Sequence, residues 1–245
     1  MQIVNQIKQR PLMFKALLVI YAVMWGGGIF HYIVFGKPPL DAPWAASLFL
    51  LLAGIIVIWT SARRDWPSLL GAATVGFASE IHGVKFGVIF SPYEYTKVLQ
   101  PHLLGVPVVM FSAWLVLLAY VRQMLAPLRL PFWLEAVFAA AWMTAIDLVI
   151  DPLAANQLGY WRWQQAGSYY GIPFHNFVGW FGVSLVIFLV ARQRWQPNVW
   201  AQYVGLSITI FFSAIALSFG LYLPALIGFG LCLLHVSLFV ARRRA

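Results

Sequence analysis

Long apolar runs, separated by short polar or basic stretches, follow one another along almost the whole chain. A helix that crosses a membrane needs about 20 mainly apolar residues. The pattern therefore predicts an all-α fold, a polytopic transmembrane bundle of about eight helices. Seven helices is the alternative, because the last two segments form one apolar stretch that is divided only at Ser218–Gly220. The predicted segments are Phe14–Phe35, Trp44–Ser61, Pro67–Phe90, Pro107–Val121, Phe132–Asp151, Phe174–Ala191, Val199–Leu217 and Leu221–Val240.

Basic residues are distributed unevenly between the connecting segments. If eight helices alternate in direction, twelve of the sixteen Lys and Arg residues fall on the side of the two termini. Loops rich in Lys and Arg stay in the cytoplasm, so we predict an integral plasma (inner) membrane protein with both termini cytoplasmic. The first segment is too long for a signal-peptide core and is followed by further spans, so we expect it to be retained.

The composition supports a membrane protein and narrows its partners. The chain is 62% hydrophobic and 9% charged, whereas a soluble domain is about 25% charged. We therefore expect a single integral membrane domain over residues 1–245. The net charge is +9, and the basic residues lie between apolar segments and at the ends of the chain. This distribution favours contact with membrane lipid, and we expect no nucleic-acid partner. A lone cysteine, Cys232, provides neither a disulfide framework nor a thiolate metal site.

Three of the seven acidic residues, Glu80, Asp147 and Asp151, lie inside segments predicted to cross the membrane. An ionisable group at membrane depth is costly unless it is paired, protonated or in contact with water, and it marks a functional site by default. Asp147 and Asp151 share one helix face with Thr144. Glu80 and Asp147 lie at similar depths on helices that run in the same direction. We predict that the three acids line one cavity in the outer half of the bundle.

Small residues surround one of these acids. Gly76, Glu80, Gly83 and Gly87 recur on one helix face, and such stripes allow helices to approach closely. One interpretation is that Glu80 is pressed into a tight functional interface. The alternative is that the glycines serve packing, and that Glu80 pairs with Lys85 or His82.

The chain also contains a candidate internal repeat, with predicted helices 3–4 as one unit and helices 5–6 as the other. Each unit has an acid on the first helix, an aromatic loop, a Gly-X-Pro turn and a Trp on the second helix. Coincidence is the alternative explanation. The first unit contains Glu80, Tyr93, Gly105, Pro107 and Trp114, and the second contains Asp147, Tyr160, Gly171, Pro173 and Trp180.

Further candidate residues lie at the same membrane level or in the outer loops. His31 reaches this level on the first helix, and His175 and Asn176 begin the sixth. The aromatic loop residues fit either an interfacial belt or a surface that stabilises a cation. They are Tyr93, Tyr95, Tyr160, Trp161, Trp163, Tyr169 and Tyr170.

Residues 80–180 resemble the carotenoid 1′,2′-hydratase family, which includes bisanhydrobacterioruberin hydratase. The resemblance implies Glu80, Asp147 and Asp151 as catalytic groups within a motif-bearing core. It implies substrate-binding or supporting roles for His31, His82, Tyr93, Tyr95, Tyr160, Trp161, Trp163, Tyr170, His175, Asn176 and Trp180. The segments that carry it are Glu80–Gly83, Phe86–Gly87, Tyr93–Tyr95, Gly105–Pro107, Asp147–Pro152, Gly159–Trp163 and Tyr169–Trp180.

The implied reaction adds water to a terminal isoprenoid double bond. Protonation of one carbon gives a tertiary cation, which water then captures; a carboxylic acid is the expected proton donor. The partners would be a carotenoid or other long isoprenoid, membrane lipid, and water as co-substrate. We expect no cofactor and no metal: the chain has no Rossmann or P-loop glycine pattern, and its five His lack the paired spacing of di-iron hydroxylases.

Two other functions are compatible with parts of the sequence. Asp147 and Asp151 suggest a prenyl-diphosphate transferase, although such sites need several carboxylates together with Lys or Arg. A non-enzymatic protein that binds carotenoid or lipid, or that couples transport to protons, would use the buried acids as a relay. A retinal photoreceptor is disfavoured, because the last two predicted helices contain no lysine.

Overall fold

The computed structural model describes residues 10–38, 42, 44–192 and 195–244, with the backbone alone for residues 241–244. Within these ranges eight α-helices follow one another, which confirms the predicted all-α helical bundle. They are α1 (Leu12–Phe35), α2 (Ala45–Thr60), α3 (Trp66–Phe86), α4 (Val109–Leu125), α5 (Phe132–Asn156), α6 (Phe174–Val190), α7 (Val199–Ser218) and α8 (Tyr222–Arg244).

Not every helix is equally suited to cross a membrane. Among the described residues, α1, α4, α5, α7 and α8 are each long and apolar enough. α2 and α3 meet the same criterion only as a pair, and they are bent by 116° across a short break. α6 is apolar but has only 17 residues. Length and composition thus support five or six spans. Lys8 and Arg194, two of the basic residues behind the predicted orientation, lie outside the described ranges.

Four helices, α3, α4, α5 and α8, end four or five residues from the predicted position, and for α3 and α5 the reason is local. α3 ends at Phe86 rather than Phe90, because Gly87 adopts a left-handed conformation (φ 63°) and caps the helix. α5 continues past Asp151 to Asn156 although it contains Pro152. Proline has no N–H for the carbonyl of Leu148, four residues earlier. The hydroxyl of Tyr169 donates a hydrogen bond to that carbonyl at 3.0 Å instead.

α4 lies at the centre of the bundle. It packs against α2, α3, α5 and α7, and it is the most buried of the five long apolar helices. α5 packs along α6, and α7 packs along α8, whereas α1 lies outside against α2 and α7. The loop between α3 and α4 meets the loop between α5 and α6, and we call this end of the molecule the loop end.

Four short strands shape the two loops. β1 (Tyr93–Tyr95) of the first loop pairs antiparallel with β4 (Trp161–Trp163) of the second, and β2 (His102–Leu103) pairs with β3 (Val106–Pro107) in a hairpin.

The two loops also turn in the same way. Leu104 and Gly105 have φ angles of 53° and 87°, and Tyr170 and Gly171 have φ angles of 50° and 83°. Two consecutive residues with positive φ are typical of a tight type I′ turn, in which the second position favours glycine. Each turn is followed by a proline at the entrance to the next helix, Pro107 or Pro173. This shared geometry agrees with the predicted repeat of α3–α4 and α5–α6.

Arg122 connects several elements at the end of the bundle opposite the loop end. Its guanidinium lies 3.0 Å from the Glu135 carboxylate, and both side chains are largely buried. It also donates a hydrogen bond to the Ala191 carbonyl, and it lies over the rings of Phe188 (5.0 Å) and Trp195 (5.2 Å). One cation thus connects α4 with the start of α5 and the end of α6.

We expect Arg122→Ala to lower the free energy of unfolding by about 3–5 kcal/mol, because Glu135 would be left as a buried charge without a partner. Thermal unfolding in detergent, followed by size-exclusion chromatography, measures the effect. Arg162→Ala is the control: the Arg162 side chain is exposed on β4, opposite the exposed Glu94, so its loss is worth about 0–1 kcal/mol. Equal melting temperatures for the two variants would contradict a stabilising role of the buried pair.

Candidate active site

Three buried carboxyl groups meet at the loop end. Glu80 lies in the last two turns of α3, and Asp147 and Asp151 lie one turn apart in the second half of α5. Their exposed fractions are 4%, 4% and 1%. A carboxyl group removed from water loses its hydration, so protein groups must replace the lost hydrogen bonds.

Glu80 accepts hydrogen bonds from three donors. Its Oε1 accepts from the indole Nε1 of Trp114 at 3.1 Å. Its Oε2 accepts from the hydroxyl of Tyr95 at 3.0 Å and from the hydroxyl of Tyr93. The tyrosines come from the first loop and Trp114 from α4, so this carboxyl group connects the helix that carries it with two other elements.

The close approach of α4 to α3 depends on Gly76, one turn before Glu80. A Cβ atom at Gly76 would overlap the indole of Trp114, so a larger residue would displace the ring that donates to Glu80. The glycine therefore serves packing and also allows the hydrogen bond to the acid. Lys85 and His82 are exposed, and Glu80 is bonded to neither. The predicted alternative, a pairing of Glu80 with one of them, was wrong.

Asp147 and Asp151 share one amide group. The Nδ2 of Asn176, at the start of α6, donates to Oδ2 of Asp147 at 2.8 Å and to Oδ2 of Asp151 at 2.7 Å. The other oxygen of Asp151, Oδ1, accepts hydrogen bonds from the indoles of Trp161 (2.7 Å) and Trp163 (3.2 Å). α5, α6 and the second loop are thus joined at this pair of acids.

The pairing of β1 with β4 explains why four aromatic rings face the acids. Side chains alternate between the two sides of a strand, so the first and third residues of each strand point in the same direction. Glu94 and Arg162, the middle residues, are exposed. The opposite pairs are Tyr93 with Trp163, Glu94 with Arg162, and Tyr95 with Trp161.

The two tyrosines of β1 are hydrogen-bond donors in this environment. Burial raises the pKa of Tyr93 and Tyr95 well above the ordinary value for a phenol, and the nearby charge of Glu80 raises it further. A phenol with a raised pKa stays protonated at neutral pH. Both hydroxyl groups therefore retain the proton that they donate to Glu80.

Two adjoining cavities meet at this cluster. The polar cavity, with about 270 Å³ of empty volume, is lined by all three acids, Asn176, and aromatic rings from both loops. The apolar cavity has about 590 Å³ of empty volume and is lined by side chains of α2, α4, α5, α6 and α7 together with loop residues.

Four residues line both cavities and form the boundary between them: Met110, Asp147, Trp161 and Trp180. Asp147 is the only acid among them. The indole of Trp180 stacks on that of Trp114, with centroids 4.5 Å apart and planes within 9° of each other. These two Trp residues occupy equivalent positions in the two units of the predicted repeat. The boundary therefore combines one carboxyl group with two large aromatic rings.

A family model described as carotenoid biosynthesis protein matches residues 44–235, most of the chain. The chain belongs to the carotenoid biosynthesis protein family. No curated protein and no solved structure matches it. The matched range covers both acid-bearing helices, both loops and both cavities. Membership supports a role in carotenoid biosynthesis and is consistent with a carotenoid or isoprenoid substrate.

Two histidines that were candidates for this site in the carotenoid biosynthesis protein lie elsewhere. His82 is two residues beyond Glu80, which places it about 200° around the helix, and its exposed ring packs 4.7 Å from that of Phe86. His31 lies on the peripheral helix α1 beside Phe35 and lines neither cavity. Neither side chain lies beside the acids, because their helix faces point away from them; a substrate-binding role for His31 and His82 stays a prediction.

Three loop-end candidates also lie outside the polar cavity. His175 is exposed, and its Nε2 is hydrogen-bonded to the carbonyl of Val88 at 2.9 Å, so it does not border the cavity as predicted. Tyr170 is confined to the tight turn, where its hydroxyl accepts from the N–H of Leu223 at 3.4 Å. Tyr160 is buried but lines the apolar cavity only. The positive φ angle of Tyr170 belongs to this tight turn.

The site also includes residues that were not among the predicted site residues. Trp114 donates to Glu80, and its repeat-equivalent position to Trp180 was a usable signal for it. Phe90 and Met110 line the polar cavity without any signal in the sequence.

The hydrogen bonds of the acids bear on the diphosphate-transferase alternative. A magnesium–diphosphate site needs free carboxylate oxygens for the metal. Both oxygens of Asp151 already accept hydrogen bonds from N–H groups. Among the described residues, no group of three or more His, Cys, Asp and Glu has an arrangement that could hold a metal ion.

Proposed function

We propose that this protein hydrates the terminal C1′–C2′ double bond of an acyclic carotenoid end group without a cofactor. The observation that carries the proposal is the boundary at which an acid-lined cavity meets an apolar one. The end of a polyene is apolar and would occupy the apolar cavity. A proton donor and water belong to the polar cavity. Membership of the carotenoid biosynthesis protein family supports this class of substrate.

The reaction needs only a proton, water and a means to stabilise a cation. A carboxyl group of the cluster transfers its proton to C2′, and the electron pair of the double bond forms the new C–H bond. C1′ becomes a tertiary carbocation. Water bonds to C1′ through its oxygen and loses one proton to the carboxylate, which restores the acid and leaves a tertiary alcohol. General acid catalysis of this kind typically contributes ~10²–10⁴-fold to a rate.

The side chains at the boundary suit a cation. The rings of Trp161 and Trp180 line it, and an aromatic face stabilises a desolvated cation by about 2 kcal/mol. Trp161 is held by its bond to Asp151, and Trp180 by its stacking on Trp114. Preorganised groups of this kind need not reorient as charge develops. The tyrosines and Asn176 would hold the remaining carboxyl groups in place.

The proposal also includes a setting. The enzyme would lie in the plasma membrane as a single domain of residues 1–245, with both termini in the cytoplasm and residues 80–180 carrying the chemistry. The distribution of basic residues supports this orientation. Membrane lipid would surround the helices, and water would reach the acids from the loop end.

Product analysis in ¹⁸O-labelled water tests the proposed function. Membranes that contain the protein are incubated with lycopene, an acyclic carotenoid with two such end groups. We expect a product that is heavier by one water, with ¹⁸O in its hydroxyl group, and formation that does not depend on molecular oxygen.

The control is the triple variant Glu80→Gln/Asp147→Asn/Asp151→Asn at matched protein level, which retains the shapes of the three side chains and removes their titratable protons. We expect no product from it. A hydroxyl group without label from water would refute the proposal. Recovery of unchanged lycopene bound to the wild-type protein would instead support the non-enzymatic carotenoid-binding alternative.

A further inference from the structure

The three buried carboxyl groups differ in how many of their oxygens accept hydrogen bonds. Both oxygens of Glu80 accept from indole or phenol donors, and both oxygens of Asp151 accept from indole or amide donors. Asp147 accepts one hydrogen bond, at Oδ2 from Asn176. In the described part of the chain, no donor is bonded to Oδ1 of Asp147.

This difference indicates where a proton can reside. Indole and amide N–H groups donate and cannot accept, so Asp151, which meets them on both oxygens, is best matched as a carboxylate. Glu80 meets one indole and two phenol hydroxyl groups that donate to it, and a carboxylate accepts all three bonds. Three carboxylates around one cavity would also repel one another. A single proton in the cluster relieves that repulsion, and Oδ1 of Asp147 is the oxygen that the donors leave free to carry it.

Asp147 is also the acid that can reach an apolar substrate. It lines the apolar cavity as well as the polar one, whereas Glu80 and Asp151 line only the polar cavity. A proton donor must come within hydrogen-bond reach of the atom that it protonates. Among the three acids, Asp147 alone lines the apolar cavity, and it is therefore the acid best placed to meet this requirement for a substrate there.

From these two observations we infer that Asp147 is the catalytic proton donor, and that Glu80 and Asp151 remain carboxylates that stabilise the cation. The inference rests on the proposed function. The Asp147 O–H bond breaks as the C2′–H bond forms, and the positive charge moves to C1′. Water from the polar cavity then adds to C1′, and its proton passes to the Asp147 carboxylate, so the enzyme returns to its starting state.

Matched amide variants test the assignment with lycopene and ¹⁸O-labelled water in membranes. We expect Asp147→Asn to lower the hydration rate by ~10²–10⁴-fold, the usual loss on removal of a general acid. Glu80→Gln and Asp151→Asn each retain an oxygen acceptor at the site, and we expect both to keep measurable hydration. Asp147→Glu restores an acidic group, so we expect it to recover part of the activity that Asp147→Asn loses.

The pH dependence of the rate provides a readout that a packing role would not change. We expect the wild-type rate to fall as pH rises, because the donor must carry a proton. We expect this alkaline decline to persist in Glu80→Gln and Asp151→Asn, and to be absent from the residual activity of Asp147→Asn.

The outcomes separate the two proposals. If the wild-type protein incorporates no label, the proposed function fails and the assignment fails with it. If the wild type is active but Asp147→Asn keeps a tenth or more of its rate, only the assignment fails. The same holds if the alkaline decline disappears in Glu80→Gln or Asp151→Asn instead.

Discussion

Asn176→Leu is expected to lower the hydration rate by about 100-fold or more, although residue 176 has no titratable group. Its amide holds Asp147 and Asp151 at distances of 2.8 and 2.7 Å. Leucine has a similar size but no donor, so both carboxyl groups would move to find other partners. A displacement of about 1 Å at a catalytic group can cost ~10²-fold in rate. Product formation in membranes, normalised to folded protein, measures the effect.

The neighbouring residue provides the control. His175→Leu changes an exposed side chain whose ring nitrogen is bonded to a backbone carbonyl rather than to an acid. We expect it to retain most of the activity. If Asn176→Leu were as active as His175→Leu, the shared amide would have no part in positioning the acids.

The second large effect concerns stability. Glu80→Leu would leave the buried donors of Tyr93, Tyr95 and Trp114 without their acceptor. An unsatisfied buried donor costs about 1–3 kcal/mol, so the three together predict a loss of roughly 3 kcal/mol or more in unfolding free energy. For a protein of this size that corresponds to a decrease in melting temperature of about 6–12 °C. Thermal unfolding in detergent measures it.

Two comparisons isolate the hydrogen bonds. Glu94→Leu makes the same change on the exposed side of β1, and we expect it to shift the melting temperature little. Glu80→Gln keeps an oxygen acceptor and falls between the two. If Glu80→Leu melts at the same temperature as Glu94→Leu, the hydrogen bonds to Glu80 do not stabilise the fold.

The sequence predicted the helical bundle because apolar runs of the length of a membrane span have few other structures available. It predicted the ends of helices less well. The end of α3 depends on the left-handed conformation of Gly87, and the continuation of α5 through Pro152 depends on a hydroxyl donated from Tyr169. Neither the backbone angle nor the distant donor can be inferred from the local pattern.

The sequence predicted that the three acids lie around one cavity, because a buried acid is costly unless it has partners or contacts water. Their catalytic role remains a prediction. The hydrogen-bond donors were less accessible, since β1 and β4 are paired across two loops that are far apart in the chain. The sequence already argued against His82 as a neighbour of Glu80 in the site. Residues two positions apart on a helix lie about 200° apart around its axis, so His82 could not share a face with Glu80.

The pairing of β1 with β4 limits how the covering loops can change in evolution. The strand period is two residues, so one residue inserted within either strand would turn its inward rings towards solvent and its charged residue towards the acids. Length changes are therefore tolerable only outside the paired segments. Glu94 and Arg162, opposite each other on the outer surface, remain free to vary in type. Within this small sheet, natural variation is expected to concentrate at these two exposed positions.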